Sequence, residues 1–432
     1  MAQSTQTWTS EHARSAAASV VRRLREAGHV AYFAGGCVRD ELLGLEPVDY
    51  DVATDARPDA IQAMFRKTAA VGASFGVVLV KERGGVVEVA TFRSDGPYSD
   101  NRRPDRVEFA DAAHDAERRD FTINALFLDP LAAEDSAGIH GHVIDHVGGM
   151  ADLRAGIIRA VGDPERRLAE DHLRALRAVR FAARFGFEIE GGTADAIRDH
   201  AADLEGVSRE RVGDELRRMF LAETRARAAA HLDALRLDGV VLGVVPTAAR
   251  GTALASLAPG DLLGRSVPVS FAAALAALAF DRGEAESAAQ VPGLVRRWRR
   301  GLCLSNEESA RLRDVLEGVL EMEAGWAGAV VSRRKRRAAA PWFADALAVL
   351  QARDAGLGAR VRADVESLAG DGIGIAPTPL IDGNDMLEAG ATPGPVFARV
   401  LASVYDAQLE GRVSGKPDAL KLAAELARGG SV

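Results

Sequence analysis

Strand-forming patterns in this chain stop near Ile158, and from Asp163 onward almost every segment repeats its apolar residues with a helical period. That switch predicts an α+β chain: a mixed α/β head of roughly 150 residues followed by a long helical remainder. Within the head, residues 11–28 read as an amphipathic helix. "HVAYFAGG" reads as a strand entering a Gly-Gly turn, "CVRDELLGL" as a short helix and "VDYDVAT" as a strand. "DARPDAIQAMF" opens a further helix with Asp55 or Asp59 as its cap, and "FGVVLVKERGGVVEVATF" has the pattern of a hairpin with a Gly-Gly turn. Gly/Pro punctuation at 191–192, 259–260, 291–293 and 371–379 divides the helical part.

At 432 residues the chain is too long for one ordinary core, which predicts two to four domains. Hydrophobic content of 47% with 27% charged residues is that of a soluble globular protein. Cys37 and Cys303 make neither a disulfide framework nor a zinc cluster, which suits a reducing, cytoplasmic setting. The N-terminus has no basic start followed by an apolar core, so no secretory signal is expected. The longest apolar run, Phe271–Phe280, is about half a membrane span and reads as a buried helix. A net charge of −8 argues against nucleic acid until the local clusters "RRWRR" (Arg296–Arg300) and "RRKRR" (Arg333–Arg337) are considered. Such patches bind a phosphate backbone if they line one groove.

The strongest chemical signal is "GGCVRDELLGLEPVDYDVAT". Asp49 and Asp51 lie two apart in a strand-like stretch, so their carboxylates face one way. Two like charges on one face call for a cation between them, and an all-oxygen set shared with substrate phosphates suits Mg²⁺. Gly35 and Gly36, after a strand and before a helix, let a backbone approach a phosphate at that helix's N-terminus, and Arg39 adds positive charge one turn in. In "ERRDFTINALFLD", Arg119 is a candidate triphosphate contact and the Asp120/Asn124 pair a candidate for ribose recognition. In "AEDHLRALR" a helical period puts Asp171 and Arg174 on neighbouring positions of one face, continued by Arg177 and Arg180. Alone, such a stripe is an ordinary salt-bridged face.

"GG-x-VRD-x-LLG", the D-x-D-x-x-T that follows, "VATFR", "DGPYSDNRRP", "RRDFTINAL" and "RRLAEDHLRALRAVRFAARFGF" occur in one order over residues 30–225. In this the chain resembles the class II tRNA nucleotidyltransferases, the CCA-adding enzymes and their bacterial poly(A) polymerase relatives. A weaker likeness returns at "LCLSNEE" and "LIDGNDMLEAGATPGP". The resemblance implies a head of the DNA polymerase beta type (11–150), then a helical neck (151–225), body (226–345) and tail (346–432). It makes Asp49 and Asp51 the metal-binding carboxylates, and puts Gly36, Arg39, Arg119, Asp171, Arg174, Arg177 and Arg180 on nucleotide-binding positions.

With that resemblance the acidic-basic stripe has a physical reading. Cytosine and adenine share an edge with an amino donor beside a ring-nitrogen acceptor, which an Asp and an Arg complement; guanine and uracil mispair there. Asp171 and Arg174 would thus template C and A, with Arg177 and Arg180 bracing them. Glu88 in "VVEVATF" is a candidate third acidic group. Asp95–Pro104 resembles the family's flexible loop, which helps the pocket change from C to A. His114-Asp115 lacks the partners an HD phosphohydrolase would need. The implied reaction is Mg²⁺-dependent addition of CCA, or its terminal A, to tRNA from CTP and ATP. The helical body and tail, with the basic clusters, would grip the acceptor and T-stem region. The alternatives are an enzyme adding only A, a poly(A) polymerase, although the basic C-terminal extension frequent there is missing from "KLAAELARGGSV", and a non-catalytic RNA-binding relative.

Overall fold

The computed structural model describes residues 9–70, 76–83, 85–98, 104, 106–133, 140–243, 251–388 and 395–428. Two compact units emerge, Met1–Glu215 with Arg227–Val241, and Leu216–Ala226 with Leu242–Val432.

The first unit holds a seven-stranded sheet. Its strands are β1 (Ala31–Ala34), β2 (Val52–Thr54), β3 (Thr68–Ala70), β4 (Val77–Glu82), β5 (Gly85–Thr91), β8 (Phe127–Asp129) and β9 (His142–Ile144). A separate hairpin pairs β6 (Arg93–Asp95) with β7 (Val107–Phe109). The sheet order is β3-β4-β5-β2-β1-β8-β9, with β2 and β5 parallel and the other neighbours antiparallel. Helix α1 (Ser10–Glu26) buries Ala16, Ala17, Val20, Val21 and Leu24, the stripe that its helical period predicts. Phe92 and Phe127 meet edge to face at 5.8 Å in a core that includes Ala34, Ala53 and Ala125.

The connections carry the charged motifs. They are α2 (Gly36–Leu42), α3 (Pro58–Met64), α4 (Ala112–Glu117), a 3₁₀ turn at Thr122–Asn124 and α5 (Gly149–Ala155). Then come α6 (Pro164–Glu170), α7 (Arg174–Phe185), α8 (Gly191–Asp199), a 3₁₀ turn at Ala201–Gly206 and α9 (Arg209–Phe220).

Three local expectations change. Neither Asp55 nor Asp59 caps α3: the N-cap is Arg57, without a side-chain bond. Asp55 instead accepts from the Val30 amide at 2.9 Å, and Pro58 supplies a preset φ in its stead. The helical remainder is not wholly helical. Short pairs join Ile157–Ile158 to Glu188–Ile189, and Gly260–Leu262 to Arg265–Val267. Strands of two or three residues are too short to display a period. The third change, a break inside "AEDHLRALR", belongs to the site.

In the second unit Phe271–Phe280 is buried on every side, as its unbroken apolar run predicts. Ser305 and Glu308 form a reciprocal capping box at the start of Asn306–Gly325. Near the C-terminus Ile381, Met386, Val400, Val404, Ala419 and Ala423 make a core of their own. Among the described residues no helix is long and apolar enough to cross a membrane.

Gly149 opens α5 against the Thr122–Asn124 turn: a Cβ there would lie 2.2 Å from the Thr122 carbonyl oxygen. Gly149→Ala is therefore expected to cost about 1–3 kcal/mol in urea unfolding, by overpacking. Gly191→Ala, whose Cβ meets nothing within 4 Å, serves as the control and should stay within about 0.5 kcal/mol. Equal midpoints for the two variants would show that the turn yields freely.

Candidate active site

Asp49 and Asp51 run into β2 with Tyr50 buried between them, so the two carboxylates share the opposite face. The Asp51 carbonyl accepts from the Ala34 amide at 3.0 Å, which anchors this approach to β1. Because β5 runs parallel to β2 with Val89 opposite Val52, Glu88 arrives alongside Asp51. Burial, then the charges of Glu88 and Asp49, push the Asp51 carboxyl up to about 7 despite the opposing field of Arg119. Partial desolvation and Asp49 likewise raise Glu88. Three neighbouring carboxylates, two of them with strained charges, offer hard oxygen donors only and fit a divalent cation that takes substrate oxygens as further ligands.

Arg119 is held from three sides. Its Nε and Nη2 donate to Asp115 at 3.2 and 3.0 Å, and its Nη1 donates to the Asn124 carbonyl at 3.1 Å. Its guanidinium lies 5.0 Å from the centroid of the Phe127 ring. Gly35, at φ +75°, makes room for it: a Cβ there would sit 2.8 Å from Arg119 Nη1. Gly36 begins α2, beneath which the Cys37 thiol is buried and pushed up to about 12.

Asn124 gathers the neighbouring motifs. Its Oδ1 accepts from Arg39 Nη1, and its Nδ2 donates to Asp120 Oδ1 at 3.0 Å. Arg39 is 4% exposed and stacks between Phe181 and Phe185, with its other donors on Asp40. Its link to the neighbouring motifs runs through Asn124. Asp120 Oδ1 also accepts from the Phe121 amide at 2.8 Å, and Oδ2 accepts from Arg177 Nε at 2.8 Å and pairs with its Nη2 at 2.7 Å. Burial opposes this carboxylate's charge, but Arg177 and Asn124 outweigh burial and hold it at about 2. Four hydrogen bonds fill its lone pairs.

The stripe at Asp171 is not one helix. Helix α6 ends at Glu170, Asp171 is extended at φ −156° and ψ 101°, and α7 begins at Arg174. Asp171 Oδ1 accepts from the Leu173 amide at 3.1 Å, the local competition with helical bonding that short Asp side chains offer. Asp171 Oδ2 pairs with Arg211 at 2.7 Å, while Arg174 donates to Glu170 at 2.7 Å and to the Arg167 carbonyl at 2.6 Å. The expected Asp171–Arg174 helix-face pair is thus replaced by two separate anchors. Further along α7, Arg180 pairs with Glu215 at 2.6 Å. Arg39, Arg177 and Arg180 all lie over the Phe181 ring, at 5.0, 5.4 and 4.2 Å.

Asp115, Glu170, Arg211, Glu215 and Phe181 escaped the sequence reading. Asp115 had a signal, since Arg118 and Arg119 stand three and four residues on and both bind it, at 2.7 and 3.0 Å. Arg211 and Glu215 had none, because tertiary packing alone brings α9 there. In the segment Asp95–Pro104, residues 99–103 lie outside the described residues; Tyr98 donates to Asp95 at 2.7 Å. Of the basic residues in the two clusters only Lys335 is fully buried, on Asp371 at 2.6 Å. Arg333 and Arg337 share Glu321, and Arg297 pairs with Glu284. Arg296, Arg297, Arg299, Arg300, Arg333 and Arg336 are exposed.

In chelator, Asp51→Asn is expected to raise Tm at pH 7.5. The folded chain keeps a proton on Asp51 up to about pH 7, well above the ordinary carboxylate range. Wild-type stability from this group therefore falls as pH rises from roughly 4 to 7, and the variant's advantage shrinks toward pH 4. Millimolar Mg²⁺ should raise the wild-type Tm and leave the variant's nearly unchanged. Parallel Tm curves with and without Mg²⁺ would refute the charge strain.

Residues 31–159 match the "Poly A polymerase head domain" family model, and residues 186–245 match "Probable RNA and SrmB- binding site of polymerase A". A CCA-adding enzyme of Limosilactobacillus fermentum is 33% identical over 415 residues, covering 94% of this chain and 96% of that protein. One from Streptococcus pyogenes is 44% identical over 204 residues, 47% of this chain and 48% of its own. Among solved structures, the Bacillus stearothermophilus CCA-adding enzyme in complex with CTP superposes with a TM-score of 0.76 at 27% identity, covering 96% of this chain and 98% of that one. The sheet with its carboxylates, the two matched family models and a relative aligned along nearly its whole length agree: the chain belongs to the CCA-adding tRNA nucleotidyltransferase family.

Proposed function

We propose that this chain, in the cytoplasm, extends tRNA 3′ ends without a nucleic-acid template, adding CCA or its terminal A from CTP and ATP. The observation that carries this reading is a hydrogen-bonded chain from Arg119 through Asn124 and Asp120 to Arg177 on α7, with the Asp51 carboxylate in the field of Arg119. The names of the relatives and the CTP in the Bacillus stearothermophilus structure support the same reading.

In this proposal the primer's 3′-hydroxyl attacks the α-phosphorus in line and pyrophosphate leaves. Asp49 and Asp51, with Glu88 beside them, would hold Mg²⁺, which supplies charge neutralisation of the triphosphate and activation of the hydroxyl. Gly35 and Gly36 shape the approach to the phosphates and Arg119 faces them. The Asp120/Asn124 pair serves ribose recognition. Asp171 accepts from the amino group of C or A while Arg174 donates to the ring nitrogen. Arg211 and Glu170 hold that pair apart at the required span, and Arg177 and Arg180 brace α7. The helical body and tail, from residue 226 on, grip the acceptor and T-stem region by shape, as suits A-form RNA.

Sequencing products from tRNAs ending at the discriminator base, at C and at CC tests the activity. All three should be completed to CCA or, for an A-adding enzyme, only the last should gain A; long A tracts or no extension would overturn the proposal. Asp49→Ala or Asp51→Ala should cut incorporation of both nucleotides to below about a tenth, with tRNA binding retained.

Asp171→Ala should lower CTP and ATP use and relax rejection of UTP and GTP. A charge-assisted hydrogen bond of roughly 1.5–3 kcal/mol corresponds to about ten- to a hundredfold in selectivity. If the Asp171–Arg211 pair were merely structural, Tm would fall and the preference among the four nucleotides would stay at the wild-type level.

A further inference from the structure

The residue after Asp171 takes part in a second constellation that the nucleotidyl-transfer reading leaves unused. His172 lies in the turn between α6 and α7, His200 closes α8, and Asp203 follows in the 3₁₀ turn Ala201–Gly206. One donor atom from each lies within 4.8 Å of the other two. His200 Nδ1 is 2.6 Å from Asp203 Oδ2, and His172 Nδ1 is 3.8 Å from the same oxygen. The two rings are 5.8 Å apart and inclined by only 32°.

Two details separate this trio from a plain surface ion pair. His172 Nδ1 is shielded from solvent yet has no hydrogen-bond partner, although a buried polar atom left in that state ordinarily costs about 1–3 kcal/mol. On the far side of His200, Nε2 is 2.9 Å from Glu165 Oε2. A carboxylate on the outer nitrogen fixes the ring with its inner nitrogen toward Asp203, the arrangement that orients metal-bound imidazoles; a bound ion would replace the proton between Nδ1 and Asp203. Two imidazole nitrogens and one carboxylate oxygen form a three-ligand set that suits zinc-class ions and not Mg²⁺. Bonds of about 2.0–2.1 Å in a tetrahedron put ligand atoms roughly 3.4 Å apart. Side-chain rotations of about 1 Å reach that spacing from the present one.

We propose that His172, His200 and Asp203 bind one zinc-class divalent ion, with Glu165 orienting His200. The ion ties the α6–α7 turn to the end of α8 and so fixes the backbone that carries Asp171. This assignment concerns metal binding alone and stands apart from the carboxylate site at Asp49 and Asp51.

The test uses the full chain, stripped with chelator, reloaded with Zn²⁺ or Co²⁺ and dialysed. Wild type should retain about one equivalent of Zn²⁺, gain several degrees in Tm, and with Co²⁺ show the intense visible bands of a tetrahedral site. Asp49→Ala/Asp51→Ala should keep all three properties. His172→Ala and His200→Gln should each lose the bound equivalent, and Glu165→Gln should weaken binding about 10- to 100-fold. If His172→Ala fails to fold, the more exposed positions, His200→Gln and Glu165→Gln, carry the measurement. Undiminished Zn²⁺ in His200→Gln, loss of it in Asp49→Ala/Asp51→Ala, or no retained Zn²⁺ in wild type would overturn the assignment.

Discussion

The Asn124 side chain is the contact on which the site's geometry depends. One amide accepts from Arg39 and donates to Asp120, while the same residue's carbonyl receives Arg119. Only one orientation of the amide satisfies both side-chain bonds, so the network has a single register. Asn124 can serve this way because it ends a tight turn wedged between β8 and Gly149, where its backbone has little freedom. Loosening that turn would release three arginine-bearing elements together.

Around the hub the protein opposes charges in two contrasting ways. Asp120 is buried but saturated with donors, so it stays ionised and works as a fixed anchor for α7. Asp51 is partly buried among like charges with one distant cation in attendance, so its ionised form is strained. The first arrangement gives rigidity. The second leaves a standing demand for a cation beside β2.

Helix α7 shows how a row of guanidiniums can be stable. Arg177 and Arg180 each have a carboxylate partner, and Phe181 lies beneath them and Arg39 as a shared aromatic platform. The break at Asp171 frees the head of this helix from its predecessor. Asp171 and Arg174 then point by virtue of their own anchors, Arg211 and Glu170, and not by helical phase. The same turn places His172 beside His200, so one interruption of backbone regularity serves two sets of side chains.

Much of this was legible in the order of residues. The change of apolar period marked the head, the two-residue spacing of Asp49 and Asp51 put them on one face, and the motif "RRDFTIN" singled out Arg119, Asp120 and Asn124 together. Local rules suffice for these because strand and helix periods are properties of adjacent residues. The break in "AEDHLRALR" was not legible, since propensity favours a continuous helix, and Asp171 leaves it where its own Leu173 amide bond is joined by Arg211 of α9. Sequence offered Glu88 as a candidate third acidic group, and the parallel register of β2 and β5 brings it beside Asp51. The sequence marked Arg39 as a positive group one turn into α2, but not its burial, which comes from Phe181 and Phe185, some 140 residues away. Whether a charge contacts substrate or supports one that does depends on what long-range packing puts beside it, and tertiary structure alone decided that.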